Sequence, residues 1–430
     1  MKRRCAIGKR RVMQMKKRLL CFTMLLTVTI SAITFTNNVK AATKWNTSKS
    51  VTKEENGIKY SAYLTEDGKE SWIYQIKLSK KITKLTLPKE INQAKLTRVG
   101  FGKELYNKGE DEDAYQNLFG DTIEPWHNCY GDLSNDDKNK QTIETVAIPA
   151  TVNQLEIATF SGMKKLKSVV IPEQTASVPA YTFAKCSALS KVTFSKNMNE
   201  IDSTAFVKSN QVKTFSCPKA NKTFAVKKGM LTTRSGKTLV LVPNKMKKLT
   251  IPSSVKEIKA NALNGSQATS IVIPKSVKKI GAKALESKKI TKVSLSSKNK
   301  TYKMANNCIY RKSNGILTAV LVKTKKITIP SKVKVIDDTV SVMGKIGTKN
   351  QVHIPKSVKK VVEDWMFFGD SATVYFHGTK PPVIVSKFKG NEFTALPIFN
   401  KVYVPKKAKK TYIKWAKDRD GLKWNNLHTF

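Results

Sequence analysis

The sequence predicts a mainly β solenoid of 22–25-residue coils with β-hairpin islands, an N-terminal β cap and a short C-terminal helix. Three observations predict it. Apolar residues recur in five fixed columns, proline recurs at the coil period, and a 78-residue repeat overlies both.

The leader comes first. Lys2 to Arg18 is basic, Leu19 to Phe35 carries no charge, and a polar stretch ends Val39-Lys40-Ala41. Residues 1–41 therefore read as a secretory signal peptide, with Met15 as an alternative start. The competing reading is an uncleaved anchor, since seventeen apolar residues sit at the lower limit for a span. Cys21 precedes most of the apolar stretch, which argues against lipidation behind it. Cleavage would leave no membrane span and a formal charge of +38, from 69 basic and 31 acidic residues.

Residues 42–81 alternate polar with aromatic or aliphatic side chains and carry a turn signal at Glu66-Asp67-Gly68, as expected of a β cap. Residues 82–142 hold the first coil, begun at Leu87-Pro88, and an insertion of opposite sign. Between 104 and 137 there are ten acidic side chains and Lys108. Neither acidic run has the spacing and central glycine of a calcium loop. A solvated loop, or one folded onto the basic solenoid, explains it as well.

The coils occupy 143–372. Each reads apolar-x-Ile-Pro-x-x-Val-x-x-Ile-x4-Phe/Leu, and 33 of 34 column positions are apolar, Thr175 excepted. The first column is Val146, Val169, Val192, Leu249, Ile271, Ile327 and Val352, and the fourth runs from Leu155 to Val361. The alternation Val-x-Ile is a short strand, which the following proline ends because it has no N–H to donate. The next x-x-Val-x-x-Ile is too short for a helix and reads as a second strand or turn. Asn221 to Ile258 aligns without a gap on Asn299 to Ile336. Each copy has a turn signal, Ser235-Gly236 or Asn314-Gly315, so hairpin islands are expected near 219–248 and 297–326. The sixth coil departs from the last column at Ser341. Residues 373–430 form a C-terminal cap, with a helix from Pro405 in which Tyr412, Ile413 and Ala416 cover the last coil.

The Ile-Pro-x-Ser-Val-Lys-x-Ile core, as at Ile273 to Ile280, resembles the BspA-type leucine-rich repeats of bacterial surface proteins. Phe183-Ala-Lys-Cys186 looks like that family's coil end. The islands and the ending from Phe376 through Pro382 to Val402-Tyr-Val-Pro405 are similar too. The resemblance covers roughly residues 80–425. It implies a right-handed leucine-rich-repeat solenoid, secretion or surface display, and adhesion or ligand binding.

The chemistry of an enzyme is not legible. The sequence has no zinc spacing, phosphate loop or nucleophile elbow, and no cofactor, metal or catalytic residue is expected. Cys129, Cys186, Cys217 and Cys308 are irregularly spaced and read as buried thiols, Cys186 sharing a column with Met163 and Ser209. His127, His353, His377 and His428 have no evident partners. Stacked coils would bring Asp337-Asp338 near Glu363-Asp364, a carboxylate cluster able to serve a polysaccharide-cleaving enzyme.

The larger constellation is basic. Lys256, Lys278, Lys334 and Lys359 each follow the third-column valine, with Lys279 and Lys360 beside two of them. Lysines one coil apart would form a ladder within a Debye length of roughly 8 Å, and a linear polyanion would relieve their repulsion. Candidate partners are teichoic acid or another anionic polysaccharide, host glycans, and nucleic acid without sequence preference. The four arginines outside the leader, Arg98, Arg234, Arg311 and Arg419, add few rigid forks for geometric selectivity. Two alternatives stand: a solvated lysine face, or an adhesin that binds a protein receptor through the insertion and hairpins. A monomer, extracellular or held at the wall, is expected.

Overall fold

The computed structural model describes residues 44–101, 115–116, 122–123, 139–362, 372–385, 401–417 and 427–430. The expected leader, most of the acidic insertion with His127 and Cys129, and the pair Glu363-Asp364 lie outside the described residues. The chain from Trp45 onward is a β-solenoid of about 13 turns.

Each coil begins with a strand of three or four residues that pairs in parallel with its neighbours. Val169 stands opposite Val192 and Val192 opposite Phe215, all buried, while Val170 between them faces out at 62% exposure. The period of two thus puts the first two apolar columns inside. Proline then turns the chain. In six coils its carbonyl accepts a bond from the N–H three residues on, as from Val152 to Pro149 at 3.1 Å and from Val333 to Pro330 at 2.9 Å. Two-residue strands follow, such as Ser177–Val178 beside Glu200–Ile201, so the second segment is both turn and strand. At the far side Phe160, Phe183 and Phe206 stack with centroids 5.6 and 5.7 Å apart. Thr175 keeps its inward column because its buried hydroxyl donates to the Val152 carbonyl at 2.8 Å. That bond meets the need of a polar group in a core.

Each island holds one strand more than the sequence suggests. The first comprises Phe224–Lys227, Met230–Thr233 and Thr238–Leu241, and the second Tyr302–Ala305, Cys308–Arg311 and Leu317–Leu321. A two-residue turn precedes the expected one in each, at Lys228-Gly229 and Asn306-Asn307, all four at positive φ. Such turns match the twist of paired strands. The third strand of each island rejoins the solenoid in parallel, with Glu257–Ile258 or with Ser341–Met343. Ser341 departs from the apolar column because its hydroxyl accepts the Leu285 N–H at 3.0 Å. Asn221 and Asn299 fasten the islands. Each donates twice to the carbonyls of the coil before and accepts two N–H groups of its own segment, all within 3.2 Å.

The N-terminal cap is the antiparallel set Trp45–Glu55, Ile58–Thr65 and Glu70–Leu78. It continues in parallel through Ala94–Val99 to Gln154–Leu155, so cap and coils share one sheet. Trp72 is buried beneath the Arg98 guanidinium, 3.7 Å from its centroid, and Arg98 Nε donates to Glu156 at 2.7 Å. At the other end a 3-10 turn, Lys406–Ala408, leads from Pro405 into helix Lys409–Lys417. Tyr412 is buried against Phe376 and its hydroxyl donates to the Gly378 carbonyl at 3.1 Å.

Candidate functional site: the lysine-bearing coils

Lys256, Lys278, Lys334 and Lys359 project from the turn between proline and the second strand, Lys279 and Lys360 begin that strand, and all six are exposed. Backbone bonds stack them. The Lys278 N–H donates to the Lys256 carbonyl at 2.7 Å, and the Lys359 N–H to the Lys334 carbonyl at 2.9 Å. Bonded chains of this kind lie roughly 5 Å apart.

A single four-rung ladder does not form. The second island stands between Lys278 and Lys334: Tyr302 takes the Ile280 N–H at 2.9 Å, and the Gly315 carbonyl accepts from Lys334. The ladder is therefore two ladders of two rungs. Lys237, overlooked in the sequence, lengthens the first, since its carbonyl accepts the Lys256 N–H at 2.7 Å. Its counterpart in the second island is Gly315, which supplies no charge. Lys279 stands opposite Glu257 and their side chains meet at 2.8 Å. Lys360 lies opposite Val335 and Val383.

A wider asymmetry surrounds these rungs. Residues 219–362 contain 33 basic and four acidic side chains, whereas residues 143–217 contain eight and five. The few carboxylates of the basic half serve the fold. Glu257 holds Lys279, and Glu286 accepts the Val342 N–H at 2.7 Å with its carboxyl pushed up by burial. Asp337 accepts from the Thr339 N–H and hydroxyl. In the earlier coils lysines find partners one coil away, Lys167 with Glu144 at 2.6 Å and Lys196 with Glu173. Where the basic half has Lys256 and Lys278, these coils have Asn153, Ala176 and Asn199. Their outward sheet face instead carries a shallow groove of about 680 Å³ along Ala147, Val170, Pro172, Thr193 and Pro218.

The remaining candidates are placed as follows. Asp337 is engaged in its own turn, and the Glu363-Asp364 half of the carboxylate cluster lies outside the described residues. Cys186 and Cys308 are buried and pushed up to about 12 by burial, while Cys217 is half-buried. The Cys186 thiol fills its column, donating to the Phe160 carbonyl at 3.2 Å. Among the described residues no three His, Cys, Asp or Glu side chains gather as a metal site. Nor is any helix among them long and apolar enough to cross a membrane. Two histidines do have a partner: His353 Nδ1 and His377 Nε2 lie 2.9 Å apart. Burial, with Lys326 beside them, pushes His353 down to about 4 and lowers His377 as well.

Several solved structures are similar to this chain. A leucine-rich cell surface protein from Faecalibacterium prausnitzii is 15% identical, with 79% of this chain and 95% of that chain covered at a TM-score of 0.36. The pneumococcal vaccine antigen PcpA is 15% identical over 88% of this chain and 97% of its own, at 0.36. A leucine-rich repeat protein from Eubacterium ventriosum is 14% identical over 83% and 94%, at 0.35. No curated protein sequence matches the chain. The model of the BspA type leucine-rich repeat region matches six copies over residues 138–228 and 243–373, more than half of the sequence. On that match, and on the coils it spans, the chain belongs to the BspA-type leucine-rich-repeat family of bacterial surface proteins.

Proposed function

We propose that this protein binds linear anionic polymers through its lysine-bearing coils, residues 219–362, and so adheres to a wall, matrix or host surface after secretion. One observation carries the reading. Basic side chains outnumber acidic ones 33 to four there, while the neighbouring coils of the same fold are nearly balanced. Rungs at Lys237, Lys256 and Lys278, and again at Lys334 and Lys359, repeat at coil spacing, so like charges repel along the stack. A polymer whose own charges repeat along its length lowers that repulsion at every rung and releases its counterions on binding. Lysine ammonium groups act as point charges, so charge density governs the choice of polymer more than monomer geometry. Teichoic acid, sulfated or sialylated glycans and nucleic acid all qualify. Function is by binding, without catalysis.

Retention on immobilised heparin, teichoic acid and DNA across a salt series tests this. Retention that collapses from low to moderate salt, and weakens in Lys256/Lys278/Lys334/Lys359→Gln, supports the reading. Retention that survives moderate salt equally in both proteins would overturn it and direct attention to a protein receptor.

A further inference from the structure

The outward face of the last coils departs from the rest of its sheet. Earlier strands present small or β-branched side chains there, such as Thr193, Ser216 and Thr250. The strands Gln351–Ile354, Thr373–Phe376, Lys401–Val404 and Leu427–Thr429 present His353, Tyr375, Tyr403 and His428. These rings stack one on the next at 4.4, 4.6 and 5.0 Å. His353 begins the ladder, 8% exposed, with Thr328 of the preceding coil opposite it. His377 follows the second of these strands, and its ring turns back over the coil before to make a hydrogen bond, His377 Nε2 to His353 Nδ1, of 2.9 Å. The Phe430 ring meets His377 edge-on at 5.2 Å and Tyr375 at 6.0 Å, which ties the last strand to the pair.

We infer that this histidine pair is an acid-operated latch: protonation of both rings opens the last coils of the solenoid, the strands from Gln351–Ile354 to Leu427–Thr429. The argument is a count of donors. A hydrogen bond between two imidazoles needs one N–H and one bare nitrogen. Two neutral rings supply that, and so does a pair with one added proton, the exposed His377 carrying the charge. With both rings protonated, N–H faces N–H and the bond is lost. His353 has nowhere else to place its charge, because its Nε2 is buried with no acceptor among the described residues. The groups around the pair do not help. Lys326 of the preceding coil faces both rings and adds positive charge. On the following strands stand Tyr375 and Tyr403, both uncharged, then Lys401 and His428. The main-chain oxygen of Phe430 accepts the Lys406 N–H at 3.1 Å. The acids among the described residues from 326 onward are Asp337 and Asp338, and Asp337 is engaged in its own turn. The folded pair therefore holds at most one added proton, whereas the unfolded segment takes one on each ring. Burial, then Lys326 and His377, push His353 from the ordinary 6.5 down to about 4, and burial and Lys326 lower His377 as well. The stability that the neutral pair contributes is complete above about 6.5 and is lost as the pH falls toward about 4.

Hydrogen exchange of residues 42–430 at about pH 7.5 and about pH 5, followed by mass spectrometry and corrected for the intrinsic effect of pH on exchange, tests the inference. The opening constant of the strands Thr373–Phe376 and Lys401–Val404 should rise about tenfold or more between the two conditions. The strands Ser168–Val170 and Lys191–Thr193 report any general effect of acid on the same chain and should change far less. His353→Phe and His353→Tyr each keep a flat ring in the ladder and remove the buried base. Melting near neutral pH establishes that they are folded, and both should lose the excess response of the last coils. His428→Gln, at the exposed end of the ladder, should keep it. The inference is overturned if the last coils of the parent respond to acid no more than the early coils. It is equally overturned if a folded variant lacking His353 keeps the parent's response.

Discussion

The coils at 143–217 and those at 219–362 share an interior and differ outside. Both bury the same five columns, both turn at proline with the same hydrogen bond, and both stack their first strands in parallel. Outside, the earlier coils balance their charges across rungs and leave an apolar groove, while the later ones accumulate lysine almost without acid. Because the solenoid forms either way, its geometry does not require the lysines. Exposed positions in a coil are left open by packing, and what fills them reports on partners or on the absence of any constraint.

The comparison can be broken first at the shared interior. Phe183→Ala removes the middle ring of a buried stack and Leu263→Ala a buried residue of the same column in the basic half. Losses of about 3–5 and 2–5 kcal/mol are expected in denaturant unfolding. A much smaller loss at Leu263 would mean the two interiors are not equivalent. The island fasteners come next. Asn221→Ala and Asn299→Ala each leave buried backbone groups without partners, for an expected loss of about 1–3 kcal/mol per unsatisfied group. Similar losses at the two sites would show that the islands are held by one device. Smallest is the difference between adjacent lysines. Lys279 is tied to Glu257 and Lys278 is not, so Lys278→Gln should weaken polyanion retention more than Lys279→Gln. Loss of the exposed Lys279–Glu257 pair itself should change stability by no more than about 1 kcal/mol.

Much of this fold was legible because a solenoid writes its core at a fixed period. The column from Val146 to Val352 and the prolines placed the strands, and the Ser235-Gly236 and Asn314-Gly315 signals placed the islands. The earlier island turns were missed because Lys228-Gly229 and Asn306-Asn307 are weaker signals, evident only once their positive φ values are seen. The candidate site was legible residue by residue but not in its order. The column put Lys256, Lys278, Lys334 and Lys359 at equivalent positions, but it did not show that the island expected near 297–326 re-enters the stack between Lys278 and Lys334. The re-entry of the first island adds Lys237, whose place is set by that island's third strand and not by the coil pattern. His353 and His377 escaped for a related reason: strand register pairs His353 with Tyr375, and His377 reaches it only by folding back.

The central claim is that the position of the lysines matters and not only the net charge. The most direct test compares two variants with equal loss of charge, Lys256/Lys278/Lys334/Lys359→Gln and Lys165/Lys191/Lys208/Lys213→Gln. Affinity for a DNA or heparin oligomer is measured as a function of salt. If the first four lysines neutralise charges on the polymer, the plot of log affinity against log salt should become shallower by roughly 3 in the first variant, at about 0.7–0.9 for each polymer charge left unneutralised. The second variant should keep the parent slope. Equal slopes for the two variants would contradict the account and leave the lysines of the later coils as a solvated surface.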